Sequence, residues 1–337
     1  MSSVLVQERS SSFISSIISA LLPFMIVGGL LYLAFFVKAE SGVVKVISPP
    51  LERRDVFYGM TIPAPDVIWA VGSNGKIVRS VNDGETWAAQ VSPLSSHIQS
   101  ISAWDERQAI AVGNQGRIAV TSDGGTHWVE VEAPHSEVAN KLLRVRGYGD
   151  GIAWAVGELG AVLRTNDYGK TWQRAVVEKD QAWNDVFFIG NQGWVVGEFG
   201  AMLKTVDGGA TWNALSSPVK SSLLSVYFRD ANNGVAVGLA GVVLRTSDGG
   251  NKWTLVKPAT KEHLNSVIWD GSHWIAVGDK GIMISSDMGG EDWRGGRIDD
   301  KDLSWHTQII FAQDKYYLAG ANLSELKQGA LHVFGRN

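Results

Sequence analysis

The sequence predicts an all-β protein, a seven-bladed β-propeller, on three observations. A glycine that ends a short apolar strand recurs along the chain with spacings of 41, 44, 40, 41, 40 and 42 residues. In the first six units a tryptophan follows that glycine by 15 residues. Short strands and glycine turns with this period are typical of radial blades rather than of a helical solenoid. The glycines are Gly72, Gly113, Gly157, Gly197, Gly238, Gly278 and Gly320.

Each unit is predicted to contain four strands. In the fourth unit a strand ends at Gly197, a two-residue turn follows, and a return strand begins after Gly200. We expect glycine at both turn ends because it tolerates the positive φ of tight turns. An inner strand precedes this hairpin, and an outer strand begins at the tryptophan. The predicted inner strands are residues 57–62, 98–104, 142–148, 183–189, 223–228, 264–269 and 305–311.

The seventh unit is predicted to be incomplete. Residues 329–334 resemble the third strand at 160–165, and no box or outer strand follows them. Residues 43–48 resemble an outer strand instead. We therefore expect this N-terminal strand to close the ring by pairing with residues 331–334, which removes exposed sheet edges. Residues 321–328 are then a longer loop and a contact candidate.

Composition bounds the class of partner. The chain has 30 Lys and Arg against 34 Asp and Glu, a net charge of −4, which gives no electrostatic case for binding nucleic acid. It contains 0 cysteines, which excludes disulfides and thiolate metal sites.

Residues 13–37 form a 25-residue uncharged run. As a helix this run would extend about 37 Å, which is enough to cross a bilayer. The predicted organisation is an N-terminal tail (1–12), a transmembrane helix (13–37), a linker (38–43) and the propeller (43–337). A cleaved signal peptide is the alternative, because Val37-Lys38-Ala39 has the small-residue spacing of a cleavage site. Flanking charges barely discriminate the orientation.

A box, Ser/Thr-x-Asp-x-Gly-x-x-Trp, closes each of the first six units. Blade one has asparagine in place of the aspartate, and blade six has one extra residue before its tryptophan. We interpret the box as structural, because an aspartate in a short turn accepts backbone N–H groups. A calcium loop would need more oxygen ligands. The box residues are Asn82, Trp87, Asp123, Trp128, Asp167, Trp172, Asp207, Trp212, Asp248, Trp253, Asp287 and Trp293.

These boxes resemble the Asp-box, or bacterial neuraminidase repeat, of sialidases and sortilin-like propellers. The fuller unit, AVG-x-x-G-x-(V/I)-(L/V)-(R/K)-(T/S)-x-D-x-G-x-x-W, is more similar to the photosystem II stability and assembly factor family and its relatives in non-photosynthetic bacteria, over residues 43–336. The resemblance implies a non-enzymatic assembly factor for an integral membrane complex, located outside the cytoplasm. Photosynthetic members are typically soluble lumenal proteins or lipoproteins, whereas a helix is predicted here. Relatives of this anchored type suggest a transporter of the resistance-nodulation-division class as partner, and a single-pass protein of the bacterial inner membrane with its propeller in the periplasm.

The sequence predicts no catalytic residue, cofactor or metal site. A sialidase would need an arginine triad and a tyrosine nucleophile with a glutamate partner. The Arg-Ile-Pro expected near the first blade is absent, because Thr61 stands in the place of the arginine. The histidines lack metal-ligand spacing, and His127 within a box is interpreted as a turn substitution.

Cations at one repeat position are the candidate partner contacts. They precede the box and are predicted to form an arc on one face, which would meet acidic loops or lipid headgroups. The alternative is that each pairs with local carboxylates. The arc residues are Arg79, Arg164, Lys204 and Arg245, and Arg53 and Arg54 are candidates on the opposite face.

The function that these patterns predict is that of an accessory or assembly factor, which docks a propeller onto an integral membrane protein complex. Two alternatives stay open. One is a carbohydrate-active enzyme or lectin of the Asp-box type that uses the central channel. The other is a sensor of an extracytoplasmic ligand.

Overall fold

The computed structural model describes residues 5–36, 49–138 and 140–335. The chain divides into two compact units, residues 1–48 and 49–337. In the described residues of the first unit a helix spans Leu5–Phe36 and contains Pro23. A search of the described residues finds no helix with the length and apolar character that a membrane span requires. Residues 13–36 of the helix predicted over 13–37 lie within this helix, and residue 37 lies outside the described residues. The assignment of this helix as a transmembrane segment is not supported.

The second unit consists of seven antiparallel sheets of four strands each, in strand order from inner to outer. Successive inner strands contact one another, and the first also contacts the seventh, so the sheets form a closed ring. This confirms the predicted seven-bladed all-β propeller. The inner strands are Phe57–Ala64, Ile98–Ala103, Leu142–Gly147, Trp183–Ile189, Leu223–Phe228, Leu264–Trp269 and His306–Ala312. The second strands are Val67–Gly72, Ala109–Gly113, Ala153–Gly157, Gln192–Gly197, Gly234–Gly238, Trp274–Gly278 and Lys315–Gly320.

The third and outer strands complete each blade. The third strands are Ile77–Ser80, Ile118–Thr121, Val162–Thr165, Met202–Thr205, Val243–Thr246, Ile282–Ser286 and Leu323–Lys327. The outer strands are Ala88–Gln90, Val129–Val131, Gln173–Arg174, Asn213–Ala214, Thr254–Leu255, Trp293–Arg297 and Ala330–Val333. Four of the turns between second and third strands are single 3₁₀ turns, at Ser73–Gly75, Glu198–Gly200, Leu239–Gly241 and Asp279–Gly281. We call the face that carries these turns the turn face, and the face that carries the boxes the box face.

The core lies between the blades. Second strands are buried along almost their whole length, and large side chains such as Trp69, Trp154 and Trp194 are at most 2% exposed. Both faces of each sheet are covered by neighbouring blades, which explains why these strands read as continuous apolar runs rather than alternating ones.

The glycine that ends each second strand is required for a reason other than the predicted positive φ. Gly72 and Gly197 have φ of −165° and −161°, an extended backbone that any residue adopts. A Cβ on Gly72 would lie 1.9 Å from the carbonyl oxygen of Val56, and one on Gly197 would lie 2.2 Å from that of Ala182. The close approach of two backbones therefore demands glycine here. Positive φ occurs at the last turn residue, as at Gly200 with φ of 73°.

The seventh blade is complete, so the prediction of an incomplete unit is wrong. Residues 321–328, predicted as a long loop, contain the third strand Leu323–Lys327, and Ala330–Val333 forms the outer strand. Gln328 and Gly329 have φ of 50° and 80° and turn the chain where the other blades have a box. Two successive positive-φ residues are what a two-residue hairpin turn requires. The closing strand predicted over residues 43–48 lies outside the described residues and stays a prediction.

Candidate functional site

The box turns are held by their own hydrogen bonds. In blade four the hydroxyl of Thr205 donates to Asp207 Oδ1 at 2.7 Å and accepts from the N–H of Gly209 at 3.0 Å. Asp207 Oδ1 also accepts from the N–H of Thr211 at 2.9 Å, and Oδ2 accepts from the Thr211 hydroxyl at 2.6 Å. Hydrogen bonds from Thr211 and Thr205 lower the pKa of Asp207 to about 2. The carboxylate thus replaces the backbone partners that a tight turn lacks.

The two irregular boxes keep this function with altered contacts. In blade one Asn82 Oδ1 accepts from the N–H of Thr86 at 2.9 Å, so the amide oxygen takes the place of the carboxylate. In blade six Asp287 Oδ1 accepts from the N–H of Gly289 at 3.0 Å. Among the described residues no group of three or more His, Asp or Glu side chains could hold a metal ion.

The box tryptophans cover the turns. Trp172 Nε1 donates to the carbonyl of Gly169 at 3.0 Å, and the tryptophans of blades one and six make the equivalent bond. Trp128 instead donates to Gln90 Oε1 at 2.9 Å. In the described part of the chain Trp212 and Trp253 find no acceptor for Nε1.

The candidate cations reach across to the next blade. Arg79 Nη2 donates to the carbonyl of Glu106 at 2.9 Å, and its guanidinium lies 4.6 Å from the centre of the Trp69 ring. Lys204, which is 9% exposed, donates from Nζ to Asn251 Oδ1 at 2.9 Å. Both cations are therefore occupied in contacts between blades.

Of the remaining candidate cations, two on the box face contact residues nearby and two on the turn face are exposed. Arg245 Nη1 donates to the carbonyl of Gly289 at 3.2 Å and forms an ion pair with Glu291. Arg164 lies over the Trp154 ring at 5.6 Å. The structure therefore does not assemble the four cations into a free arc. On the other side Arg53 is exposed, and Arg54 is 87% exposed and pairs with Glu52 at 2.9 Å.

A ring of hydrogen bonds surrounds the propeller axis. In five of the seven blades the side chain of the third residue of the inner strand accepts a hydrogen bond from a backbone N–H of the next blade, whereas blade one has Gly59 at this position. The pairs are Ser100 Oγ with Val145 N at 3.2 Å, Asp185 Oδ2 with Val226 N at 3.1 Å, Ser225 Oγ with Val267 N at 3.3 Å, Ser266 Oγ with Ile309 N at 3.4 Å, and Gln308 Oε1 with Met60 N at 2.9 Å. Arg144 occupies this position in blade three and has no acceptor to offer.

Blades three and four meet through a buried ionic cluster at the axis. Asp185 is fully buried and accepts two hydrogen bonds from Arg146, at 3.0 and 2.8 Å. It also accepts from the N–H of Val186 at 2.9 Å and from the hydroxyl of Ser225 at 3.0 Å. Burial works to raise the pKa of Asp185, but Arg146 and Arg144 outweigh it and lower that pKa. The carboxylate is therefore ionised, and its acceptor sites are filled.

A cavity of about 360 Å³ in the central channel is lined by residues of the inner strands. Its lining combines polar and apolar groups in similar proportion, with Phe187, Tyr227 and Trp269 contributing rings. The charged residues in its lining are Arg144 and Arg146. The Arg146 guanidinium also lies 5.3 Å from the Phe187 ring centre, which fixes it by a cation–π contact.

Sequence reasoning missed this cluster. The signal that could have found it is the repeat itself: blades two, five and six have serine where blade three has Arg144 and blade four has Asp185. Opposite charges at the same position of adjacent blades are placed to meet, since inner strands pack side by side.

The family model described as "Photosynthesis system II assembly factor YCF48" matches residues 87–181, 153–217 and 211–316. These matches together run over more than half of the chain. The chain belongs to this family. It is also similar to the "Photosystem II assembly lipoprotein Ycf48" of Parasynechococcus marenigrum (strain WH8102), with 25% identity over 150 residues, 39% of this chain and 44% of that protein. The chain thus aligns with less than half the length of this relative.

Two solved structures of Ycf48 proteins share the fold. One, described as "YCF48 bound to D1 peptide", has a TM-score of 0.67 and 20% identity, and the match covers 84% of this chain and 94% of the other. The second, YCF48 from Cyanidioschyzon merolae, has a TM-score of 0.68 and 19% identity, with 83% and 98% covered. At these identities the likeness establishes the propeller fold alone.

Proposed function

We propose that this Ycf48-family chain is a non-enzymatic accessory factor, which docks its propeller onto an integral membrane protein complex and stabilises or assembles it. The observation that carries the proposal is the family match over the blades from residue 87 to residue 316. The curated relative is named as an assembly protein, and a solved relative has a peptide bound. A rigid ring of hydrogen-bonded blades suits such a role, because it presents a preformed surface to a partner.

The turn face offers the better contact surface of the two faces. Phe199 lies in the turn of blade four with φ of 55° and is 76% exposed, and Val177 in the preceding connection is 88% exposed. Val177 also lines a mainly apolar groove of about 290 Å³, together with Ala201 and Leu215. Exposed apolar surface of this kind marks sites of protein association, and aromatic side chains are favoured anchors there.

The nature of the complex and its compartment are the finer parts of the proposal. A transporter of the resistance-nodulation-division class is one candidate for the complex. The compartment that we propose is the periplasmic side of a bacterial inner membrane, on the strength of the uncharged run at residues 13–37. Fractionation of cells into cytoplasm, periplasm and membranes tests the compartment, and recovery of the chain in the cytoplasmic fraction would contradict it.

Affinity capture tests the docking. The full chain, tagged and expressed at its native level, is solubilised in mild detergent and its partners are identified by mass spectrometry. We expect a stoichiometric integral membrane protein with the native chain and a large loss of it with Phe199→Asp. Val206→Asp is the matched control, because Val206 is 62% exposed in the box of the same blade on the opposite face. Recovery of the chain alone, or equal loss with both variants, would refute docking through the turn face.

A further inference from the structure

The central channel carries an unneutralised positive charge. Arg144 and Arg146 lie two residues apart on the inner strand Leu142–Gly147 and so project to the same side of it. One carboxylate, Asp185, faces both, and Arg146 takes two of its acceptor positions. Arg144 Nε lies 3.6 Å from Asp185 Oδ1, which is within ion-pair distance but beyond hydrogen-bond distance.

Arg144 has no hydrogen-bond partner within the described part of the chain, although its side chain is only 11% exposed. Burial is the main cause that lowers its pKa. An arginine does not lose its proton in a protein, so the Arg144 guanidinium stays charged, and it shares its one counterion, Asp185, with Arg146. Two buried guanidinium groups that share one carboxylate leave a net positive charge, which is costly, and the fold keeps it although blades two, five and six have serine at the position of Arg144.

The surroundings of Arg144 have the form of a binding site. The cavity volume of about 360 Å³ falls in the range of small-molecule sites. Tyr148 lines the same cavity, and its hydroxyl accepts from the N–H of Phe188 at 2.9 Å. The hydroxyl proton of Tyr148 is thus available to an acceptor in the cavity. Phe187 and Trp269 supply apolar walls.

We propose that the central channel binds a small organic carboxylate, with the carboxylate held by Arg144 and Arg146 and the apolar part of the ligand packed against Phe187 and Trp269. Guanidinium groups match carboxylates in charge and planar geometry, and Arg144 contributes donors that the protein leaves unused. The apolar walls favour an organic acid over an inorganic anion. This site goes beyond docking on the turn face and does not depend on it.

The experiment uses the purified full chain in mild detergent, without any partner. Binding of 3-phenylpropionate is measured by calorimetry and by the rise in Tm, with 3-phenylpropanamide as the uncharged probe of equal shape. We expect saturable binding of the acid and at least about tenfold weaker binding of the amide, because a charge-assisted hydrogen bond is lost. Equal binding of the two probes, or no saturable binding of either, would overturn the proposal.

Variants locate the site. Arg144→Ser introduces the residue that other blades have at this position and is expected to fold, to have an unchanged or higher Tm and to bind the acid at least about tenfold more weakly. Arg144→Gln serves as a second neutral variant should the serine form not fold. Arg174→Ser is the matched control, because Arg174 lies in the outer strand of the same blade and its Nη atoms are also buried without partners. Unchanged binding in both Arg144 variants, or equal loss with Arg174→Ser, would overturn the assignment.

Two further probes define the class of ligand. Inorganic phosphate that raises the Tm as much as 3-phenylpropionate at equal concentration would overturn the assignment to an organic acid. A short peptide with a free terminal carboxylate is compared with its amidated form. A free-acid peptide that binds at least about tenfold more tightly than 3-phenylpropionate would overturn the assignment to a small acid and would indicate a peptide C-terminus as the ligand. Because no partner is present, failure of this site leaves the docking proposal untouched.

Discussion

The ring is joined between blades seven and one by a polar cluster near its rim. Lys315, at the start of a second strand, donates from Nζ to Asp83 and to Glu325, the latter at 2.9 Å. The hydroxyl of Tyr317 donates to Asp83 as well. Burial works to lower the pKa of Lys315, but the hydrogen bonds to Asp83 and Glu325 outweigh it and raise that pKa. The lysine is therefore charged at neutral pH, with its side chain 9% exposed between the two carboxylates.

We predict that Lys315→Met destabilises the propeller. Removing one partner of a buried ion pair costs about 3–5 kcal/mol, because the other partner is left uncompensated. Asp83 and Glu325 retain 26% and 19% exposure. Water can solvate them in part, so we expect the lower end of the range, about 3 kcal/mol. For a domain of this size each kcal/mol shifts Tm by about 2–4 °C, which gives a fall of about 6–12 °C.

Thermal unfolding at neutral pH measures this change. The matched control is Lys280→Met, since Lys280 pairs with Glu262 at 3.0 Å but is 59% exposed. Exposed pairs contribute below about 1 kcal/mol, so the control should lose at most about 4 °C. In the double variant Lys315→Met and Glu325→Gln, part of the loss should return, because one uncompensated carboxylate is removed. A Tm fall no larger than that of the control would refute the view that this cluster stabilises ring closure.

The remaining predictions concern backbone contact and pH. Gly157→Ala should lower the free energy of unfolding in urea by at least about 3 kcal/mol, because the added Cβ would lie 1.9 Å from a carbonyl oxygen. Gly149→Ala is the control and should cost less than about 1 kcal/mol, since a Cβ there would have nothing within 4 Å. Similar costs for the two variants would contradict the close-approach explanation. The low pKa of Asp207 means that its contribution is present above about pH 4 and is lost as pH falls toward about 2, so Asp207→Asn should flatten the Tm profile in that window. His306 is 1% exposed and burial lowers its pKa. The folded state favours the neutral imidazole, so stability should fall as the pH drops below about 6.5. His306→Phe should remove this dependence of Tm on pH between about pH 7 and about pH 5. An unchanged dependence would mean that another group titrates.

The repeat made most of the fold predictable. Residues 183–189 were predicted as an inner strand, and the structure has Trp183–Ile189. Such accuracy is possible because glycine and tryptophan landmarks are spaced by backbone geometry that every blade shares. The prediction for the seventh blade is wrong because it aligns Gly329 with the turn glycine Gly160. Gly329 belongs instead to the next turn of its blade, a two-residue hairpin that needs no box.

The candidate site was less accessible to sequence reasoning. The repeat position of Arg245 was clear, yet its partners Gly289 and Glu291 belong to the next blade. Asp185 likewise lies 39 residues from Arg146 along the chain. Contacts of this kind depend on how adjacent sheets are oriented, which strand periodicity alone does not give. Comparison of the same position in successive repeats identifies the charged residues, and the structure shows which of them form ion pairs.

The hydrogen bonds around the axis also bear on how such a chain is assembled. Gln308 accepts from the N–H of Met60, so the meeting of the last blade with the first uses the same chemistry as the joint between Ser225 and Val267. The joint that closes the ring is thus held like one between blades that are consecutive in the chain. A circularly permuted gene that opens the propeller between blades five and six should therefore yield the same closed ring.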